Sequence, residues 1–150
     1  MKNEDVRSFL SSANHYCTLI DSLTCIEERS IEKLLVALLD LYLKAQQLPD
    51  VEPDNIKALQ VEISLPKIDF GKYEYYWEVF DLYKLDEPEC GSLSDDILDI
   101  YKDLKEGIIL FEQEMTNEAI WHWKFHFEAH WGSHTVNALR ALHSVKNDLI

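Results

Sequence analysis

Residues 119–145, AIWHWKFHFEAHWGSHTVNALRALHSV, show a helical pattern of apolar side chains over their whole length. Apolar residues recur every three or four positions, which is typical of an α-helix that buries one face. The residues on this face are Ile120, Trp123, Phe127, Trp131, Ala138, Leu142 and Val145. We therefore predict a long Trp/His-rich C-terminal helix at the centre of the fold, capped at its N-terminus by Thr116 or Asn117.

Three segments upstream repeat the same period. Residues 4–26 form one predicted helix, and Ser30 precedes a second helix that stops before Pro49. A third helix begins near Ser92 or Ser94, whose side chains are suited to an N-cap, and it continues towards the C-terminal helix. Together with the last helix, these segments predict a protein built mainly of helices.

The segment between the second and third helices is less regular. Prolines and mixed polarity in residues 49–71 are typical of a connector, with a short helix near 54–60 as an alternative. Residues 71–83 are predicted to form a short helix that is followed by an acidic loop. We therefore predict an all-α fold, a single-domain bundle of five to six helices over the whole chain, with any strand confined to residues 58–68.

The acidic charge is concentrated in the middle of the chain. The formal net charge is −14, and residues 50–106 contain 16 acidic but only six basic residues. Such a surface repels phosphate backbones, so we expect no binding to nucleic acid. The same field can steer a basic protein partner. These features say nothing about the oligomeric state.

Cysteine usage and hydropathy favour a cytoplasmic location. The three cysteines, Cys17, Cys25 and Cys90, have no regular spacing, so neither a disulfide framework nor a cysteine zinc site is predicted. The N-terminus lacks the apolar core of a signal peptide, and the longest apolar run has about six residues, too few to cross a membrane. We therefore expect a reduced, cytoplasmic protein.

Histidines occur at every fourth position of the predicted last helix. In a regular helical projection His134 falls within the apolar face, and His126, His130 and Asn137 line one of its edges. His122 falls nearly opposite the apolar face, so we expect it to be solvated. A row of imidazoles along one helix edge is the principal candidate for chemistry in this chain.

The preceding helix offers carboxylates to these imidazoles. Asp96 and Asp103 lie on one flank of its apolar face, and Asp99 lies nearer to solvent. A short connection between the two helices predicts antiparallel packing, which would bring both sets of side chains together along a groove. We expect His130 or His134, or both, to hydrogen-bond a carboxylate from residues 95–106.

Three interpretations of this groove remain open. The histidines are structural, and their rings are satisfied by Asp96, Asp103 or the main chain. Alternatively, two or three of the side chains bind a divalent metal ion, as inward-facing residues of helical bundles do. In the third interpretation a His–Asp pair acts as a general base. The sequence contains no recognisable nucleophile or phosphate-binding loop beside these residues, and we expect no cofactor.

An aromatic segment precedes the third helix. Tyr73, Tyr75, Tyr76 and Trp77 either pack onto the bundle or form a recognition surface for a protein partner. We favour a non-enzymatic, acidic helical interaction module that uses this surface and the acidic middle of the chain. The alternative, from a different functional class, is a metal-binding protein or an enzyme that uses the His/Asp groove between the last two helices.

Three motifs in the second half of the chain resemble the bacterial DUF5063 family, whose members have no assigned activity. They are YYWEVFD, GSLSDDILDIYKDLKEGI and AIWHWKFHFEAHWGSHTVNALRALH, within residues 73–143. The recurring positions of that pattern correspond to Trp77, Glu78, Asp95, Asp96, Asp99, Asp103, Trp121, Trp123, Phe127, His130, Trp131, His134 and Ala138. The resemblance implies a shared helical fold and a bacterial cytosolic setting, and it implies no substrate, cofactor or partner.

Overall fold

The computed structural model describes residues 2–55 and 61–149, and in these two ranges the chain forms four helices and one two-stranded sheet. The elements are α1 (Lys2–Ser22), α2 (Glu28–Gln46), β1 (Tyr75–Glu78), β2 (Glu89–Ser92), α3 (Leu93–Glu112) and α4 (116–149). Buried residues of all four helices form one hydrophobic cluster. None of the helices in this described part combines the length and apolar character that crossing a membrane requires.

The last helix, α4, contains a π turn at its centre. Its α-helical segments are Thr116–His126 and Gly132–Leu149, and Phe127–Trp131 forms the π turn between them. In a π turn each N–H bonds the carbonyl five residues earlier, and here the Gly132 N–H bonds the Phe127 carbonyl. A Cβ atom at position 132 would lie 2.4 Å from that carbonyl oxygen, which explains the glycine. The predicted long C-terminal helix is thus confirmed.

Two tryptophans of α4 form the centre of the core. Trp123 and Trp131 are fully buried, and Phe9 of α1 packs against both, with ring centroids 5.0 and 6.0 Å away. The Trp123 Nε1–H donates to the Leu104 carbonyl at 3.1 Å, and the Trp131 Nε1–H donates to the Trp123 carbonyl at 3.0 Å. A Cβ at Gly107 would lie 2.0 Å from Trp123 Nε1, so this glycine permits the close approach of α3 and α4.

The helix termini agree with the predictions only in part. Ser92 is the N-cap of α3, as expected, and its hydroxyl accepts the third N–H beyond it. Ser30 was expected to precede α2 but lies inside its first turn, because the helix already begins after Glu27. Similarly, α4 begins at Thr116, so neither Thr116 nor Asn117 is its N-cap.

The region 71–92 contains a β-hairpin where a short helix was predicted. Gly71–Tyr73 form a single 3₁₀ turn, after which β1 pairs antiparallel with β2. Side chains of β1 alternate between exposed and partly buried, and Tyr76 packs over Gly91, where a Cβ would lie 2.5 Å from the ring. The prediction of a purely α fold with five to six helices is therefore wrong in detail, although the chain is mainly helical.

The expectation that any strand would be confined to residues 58–68 is also wrong, because both strands lie later in the chain. Described residues within 58–68 form no strand, and the only pairing near them is an isolated bridge between Cys25 and Asp69. Pro66 and the mixed polarity there leave the segment extended without a strand partner. The alternative of a short helix near 54–60 falls mostly on residues 56–60, which lie outside the described residues.

Candidate functional site

Packing of α3 against α4 pairs two buried carboxylates with two histidines. His134 Nδ1 lies 2.6 Å from Asp96 Oδ1, and His130 Nδ1 lies 2.7 Å from Asp103 Oδ2. Asp96 and Asp103 are seven residues apart on α3, almost two helical turns, so they share one flank. Because residue numbers rise along α3 as they fall along α4, the helices are antiparallel. The expected pairing of a histidine with a carboxylate of residues 95–106 is confirmed.

The other nitrogens of the two rings converge on one point together with Asp99. The His130 and His134 Nε2 atoms are 3.2 Å apart, and Asp99 Oδ2 lies 3.1 Å from His134 Nε2 and 3.6 Å from His130 Nε2. The side chains of these three residues are 24 to 45% exposed, so the point of convergence is open to solvent. We call Asp99, His130 and His134 the triad.

Hydrogen bonding at Nδ1 determines whether each Nε2 atom carries a proton or a free lone pair. A carboxylate only accepts, so Nδ1 carries the proton in both rings. In the neutral form each Nε2 then presents a lone pair, and two lone pairs that face each other at 3.2 Å repel. A cation between the rings removes this repulsion, whether it is a proton bound to His134 or a metal ion.

Buried acidic groups around the triad make its surroundings electronegative. The hydrogen bond to Asp96 raises the pKa of His134, and burial opposes this shift only in part. Asp96 also accepts a hydrogen bond from the Tyr76 hydroxyl of β1. Burial, and then the charge of Asp96, raise the pKa of Glu78, whose Oε2 is buried and has no hydrogen-bond partner among the described residues. The hairpin therefore covers one end of the site.

The other two histidines of the row form a separate pair. The rings of His122 and His126 have centroids 4.1 Å apart, and their nitrogens lie within 4.8 Å of one another and of an Asp103 oxygen. The expectation that His122 is solvated is wrong, because Gly107 brings α3 and α4 close together here. Burial is the main cause that lowers the pKa of His122 to about 4, and the charge of His126 adds to it.

The structure thus brings together most of the predicted site residues. Asp96, Asp99, Asp103, His130 and His134 form one network, and His126 pairs with His122 beside it. Asn137 instead lines a neighbouring cleft of about 430 Å³. His134 was placed within the apolar face, but Thr135 is the buried residue there, because the π turn shifts the register.

The predicted partner surface is divided by the hairpin. Tyr75 and Trp77 point outward and are 71% and 74% exposed. Tyr73 and Tyr76 turn inward instead, and their hydroxyls donate to Asp148 and Asp96. The link from Tyr76 to the histidine network was not anticipated, although the alternation of a strand would have placed it opposite Tyr75 and Trp77.

Comparisons with known proteins agree with the resemblance found in the motifs. No curated protein matches the chain. The chain is similar in structure to protein BF1032 from Bacteroides fragilis, with a TM-score of 0.76 and 25% sequence identity over 95% of this chain and 92% of that one. Residues 2–148 match the family described as Domain of unknown function (DUF5063). The chain therefore belongs to the DUF5063 family.

Proposed function

We propose that this protein binds a divalent transition-metal ion through His130, His134 and Asp99. The observation that carries the proposal is the convergence of two imidazole Nε2 atoms and one carboxylate oxygen, 3.1 to 3.6 Å from one another, at a solvent-accessible point. Imidazole nitrogen and carboxylate oxygen together suit Zn²⁺, Fe²⁺ and related ions.

The separations of the three atoms fit a single ion. Ligand atoms bind Zn²⁺ at about 2.1 Å, so two of them stand about 3.4 Å apart in tetrahedral geometry and about 3.0 Å apart at a right angle. The observed separations of 3.2, 3.1 and 3.6 Å all lie within about 0.2 Å of one of these two values. A small shift of the half-exposed Asp99 side chain would complete the coordination.

The residues behind the triad support the same function. Metal-bound histidines commonly donate their second N–H to a carboxylate, which fixes the ring and raises its basicity. Asp96 and Asp103 serve both rings in this way, and both are buried. Three protein ligands leave positions free for water or a small ligand, as catalytic metal sites do. The network is also compatible with a purely structural role, in which a proton occupies the place of the metal.

Metal uptake by a single-charge variant tests this function. Protein without a histidine tag is stripped with EDTA and titrated calorimetrically with Zn²⁺ and, without oxygen, with Fe²⁺. Asp99→Asn is expected to lower the affinity of the triad at least tenfold. Asp95→Asn is the matched control, because Asp95 is an exposed acid on the same helix and outside the triad. Equal affinities of the wild type and Asp99→Asn would disprove the proposal.

A second candidate function keeps the aromatic hairpin as a partner surface. Trp77, Phe80 and Tyr83 are 74, 85 and 99% exposed, which is unusual for large aromatic side chains grouped on one hairpin. Residues 78–89 contain five acids and one lysine, so the partner we propose is a basic protein segment. A Lys-rich peptide should quench Trp77 fluorescence in wild-type protein but leave Trp77→Phe unaffected. Absence of salt-sensitive quenching at micromolar peptide would contradict this candidate.

A cytoplasmic location remains part of the proposal. It is supported by the cysteines, since Cys17, Cys25 and Cys90 are all free and two of them are exposed. Exposed unpaired thiols are stable in a reducing compartment. Such a compartment would also keep Fe²⁺ available to the triad.

A further inference from the structure

Asp103, His122 and His126 form a second group of metal-ligand side chains beside the triad. One ligand atom from each lies within 4.8 Å of the others, and the group is more buried than the triad. The Asp103 carboxylate contacts the triad as well as this second group, because its Oδ2 accepts the Nδ1–H of His130. It has two oxygens with about four lone-pair positions, so it can serve His130 and a second group together.

The state of His122 is the second and independent observation. Its Nε2 is buried and has no hydrogen-bond partner among the described residues. The His122 ring therefore carries a buried nitrogen that no described group of the protein satisfies. Burying an unsatisfied polar atom destabilises a fold, so an atom retained in this state points to a bound partner such as an ion or a water molecule.

The side chains of this group are of the kinds that bind Zn²⁺. Two imidazole nitrogens and one carboxylate oxygen are a donor set that this ion takes in proteins. Burial keeps His122 neutral, as a ligand must be, by lowering its pKa to about 4. His126 faces His122 with ring centroids 4.1 Å apart, and burial lowers its pKa as well.

We propose that Asp103, His122 and His126 bind a second divalent cation, of the nitrogen-preferring class that includes Zn²⁺. Asp103 then joins two metal positions, as a ligand of one and as the hydrogen-bond acceptor that orients His130 at the other. The ligand atoms of the second position are different from those of the triad, so this proposal does not require that the triad binds metal. Where both are filled, ions at the two positions influence each other's affinity reciprocally.

Metal stoichiometry with position-specific variants tests this proposal. EDTA-stripped, tag-free protein is dialysed to equilibrium against Zn²⁺, and bound zinc is measured by elemental analysis. Wild-type protein should retain about two ions, and His126→Ala and Asp99→Asn about one each. His143→Ala is the matched control, since His143 is an exposed histidine of the same helix, and this variant should bind as the wild type does.

The four variants separate the failure of this proposal from the failure of the triad. Equal zinc content in wild type and His126→Ala overturns the second site, and loss of zinc in Asp99→Asn then leaves the triad intact. Loss of zinc in His126→Ala alone sustains the second site and refutes the triad. A His122→Leu variant guards against misfolding: it should lose the same ion, and its metal-free melting temperature should equal or exceed that of the wild type.

Discussion

The apolar face and the histidine edge of α4 bury polar nitrogens in opposite ways. On the apolar face, each indole N–H of Trp123 and Trp131 has a carbonyl acceptor, so the polar atoms are fully satisfied within the core. On the histidine edge, His130 and His134 satisfy only one nitrogen internally and point the other at each other. The first arrangement contributes to stability alone, and the second leaves the Nε2 atoms positioned for the metal binding proposed above.

The largest expected effect tests the apolar face. Trp131→Ala should lower the free energy of unfolding by about 3–5 kcal/mol, the usual cost of removing a large buried ring. The ring is fully buried and contacts Phe9 and Phe127. Trp121→Ala is the matched control, because Trp121 is 37% exposed and stacks on Phe125 at the surface, and it should cost about 1 kcal/mol or less. Similar urea midpoints for both variants would contradict the comparison.

A smaller effect is expected on the histidine edge, where a substitution should change the metal affinity of the triad. Asp96→Asn replaces an acceptor by an amide that can donate to His134 Nδ1, which favours the tautomer with a proton on Nε2. Metal affinity of the triad should fall about 10- to 100-fold, the range observed for residues that orient a ligand. Calorimetric titration of Asp96→Asn beside Asp95→Asn measures the difference. An unchanged affinity would mean that Asp96 only maintains the fold.

The sequence predicted the apolar face better than the edge, and the π turn explains why. All seven residues assigned to the apolar face are buried, since contacts every three or four positions persist across the turn. Beyond the turn, however, a regular projection misplaces neighbouring positions by one residue. His134 was therefore assigned to the core in place of Thr135. The residue types of Phe127–Trp131 do not predict a π turn.

Two other errors have a common cause, which is close contact through glycine. His122 was expected in solvent because a single-helix projection cannot include the neighbouring helix, which approaches at Gly107. The hairpin was missed because Tyr76 packs over Gly91, a residue 15 positions later in the chain. In contrast, the pairing of His130 and His134 with α3 carboxylates followed from helix periodicity and from the short connection that predicts antiparallel packing, both of which can be read locally in the sequence.

The π turn itself offers a test that separates geometry from stability. In Gly132→Ala the new Cβ would lie 2.4 Å from the Phe127 carbonyl oxygen, so the π turn must rearrange towards a regular helix. The strain is partly offset because alanine favours helix over glycine by about 1 kcal/mol. We expect a stability loss of about 1 kcal/mol together with at least tenfold weaker metal binding by the triad. A variant with intact affinity would show that the turn does not position His130 and His134.

The smallest expected effect is a pH dependence of stability that comes from a buried ionisable group, the thiol of Cys17. Cys17 of α1 is buried, and burial is the main cause that raises the pKa of its thiol to about 12. The unfolded chain therefore releases this proton from about pH 9 upward while the folded chain retains it. Fewer protons bound in the unfolded state mean that stability falls as pH rises between about 9 and 12, and is fully present below that window.

This linkage predicts a measurable difference between pH 7.5 and pH 10. At pH 10 the wild type should have lost about 1 kcal/mol more stability than Cys17→Ala, because one pKa unit corresponds to about 1.4 kcal/mol. Urea unfolding of both proteins at the two pH values gives the difference, in which the tyrosines and other common groups cancel. Cys25→Ala is the control, since Cys25 is exposed and its removal should leave the wild-type pH dependence unchanged. Parallel pH profiles for wild type and Cys17→Ala would show that the interior admits a thiolate, and would thereby weaken the contrast between a closed core and an open histidine edge.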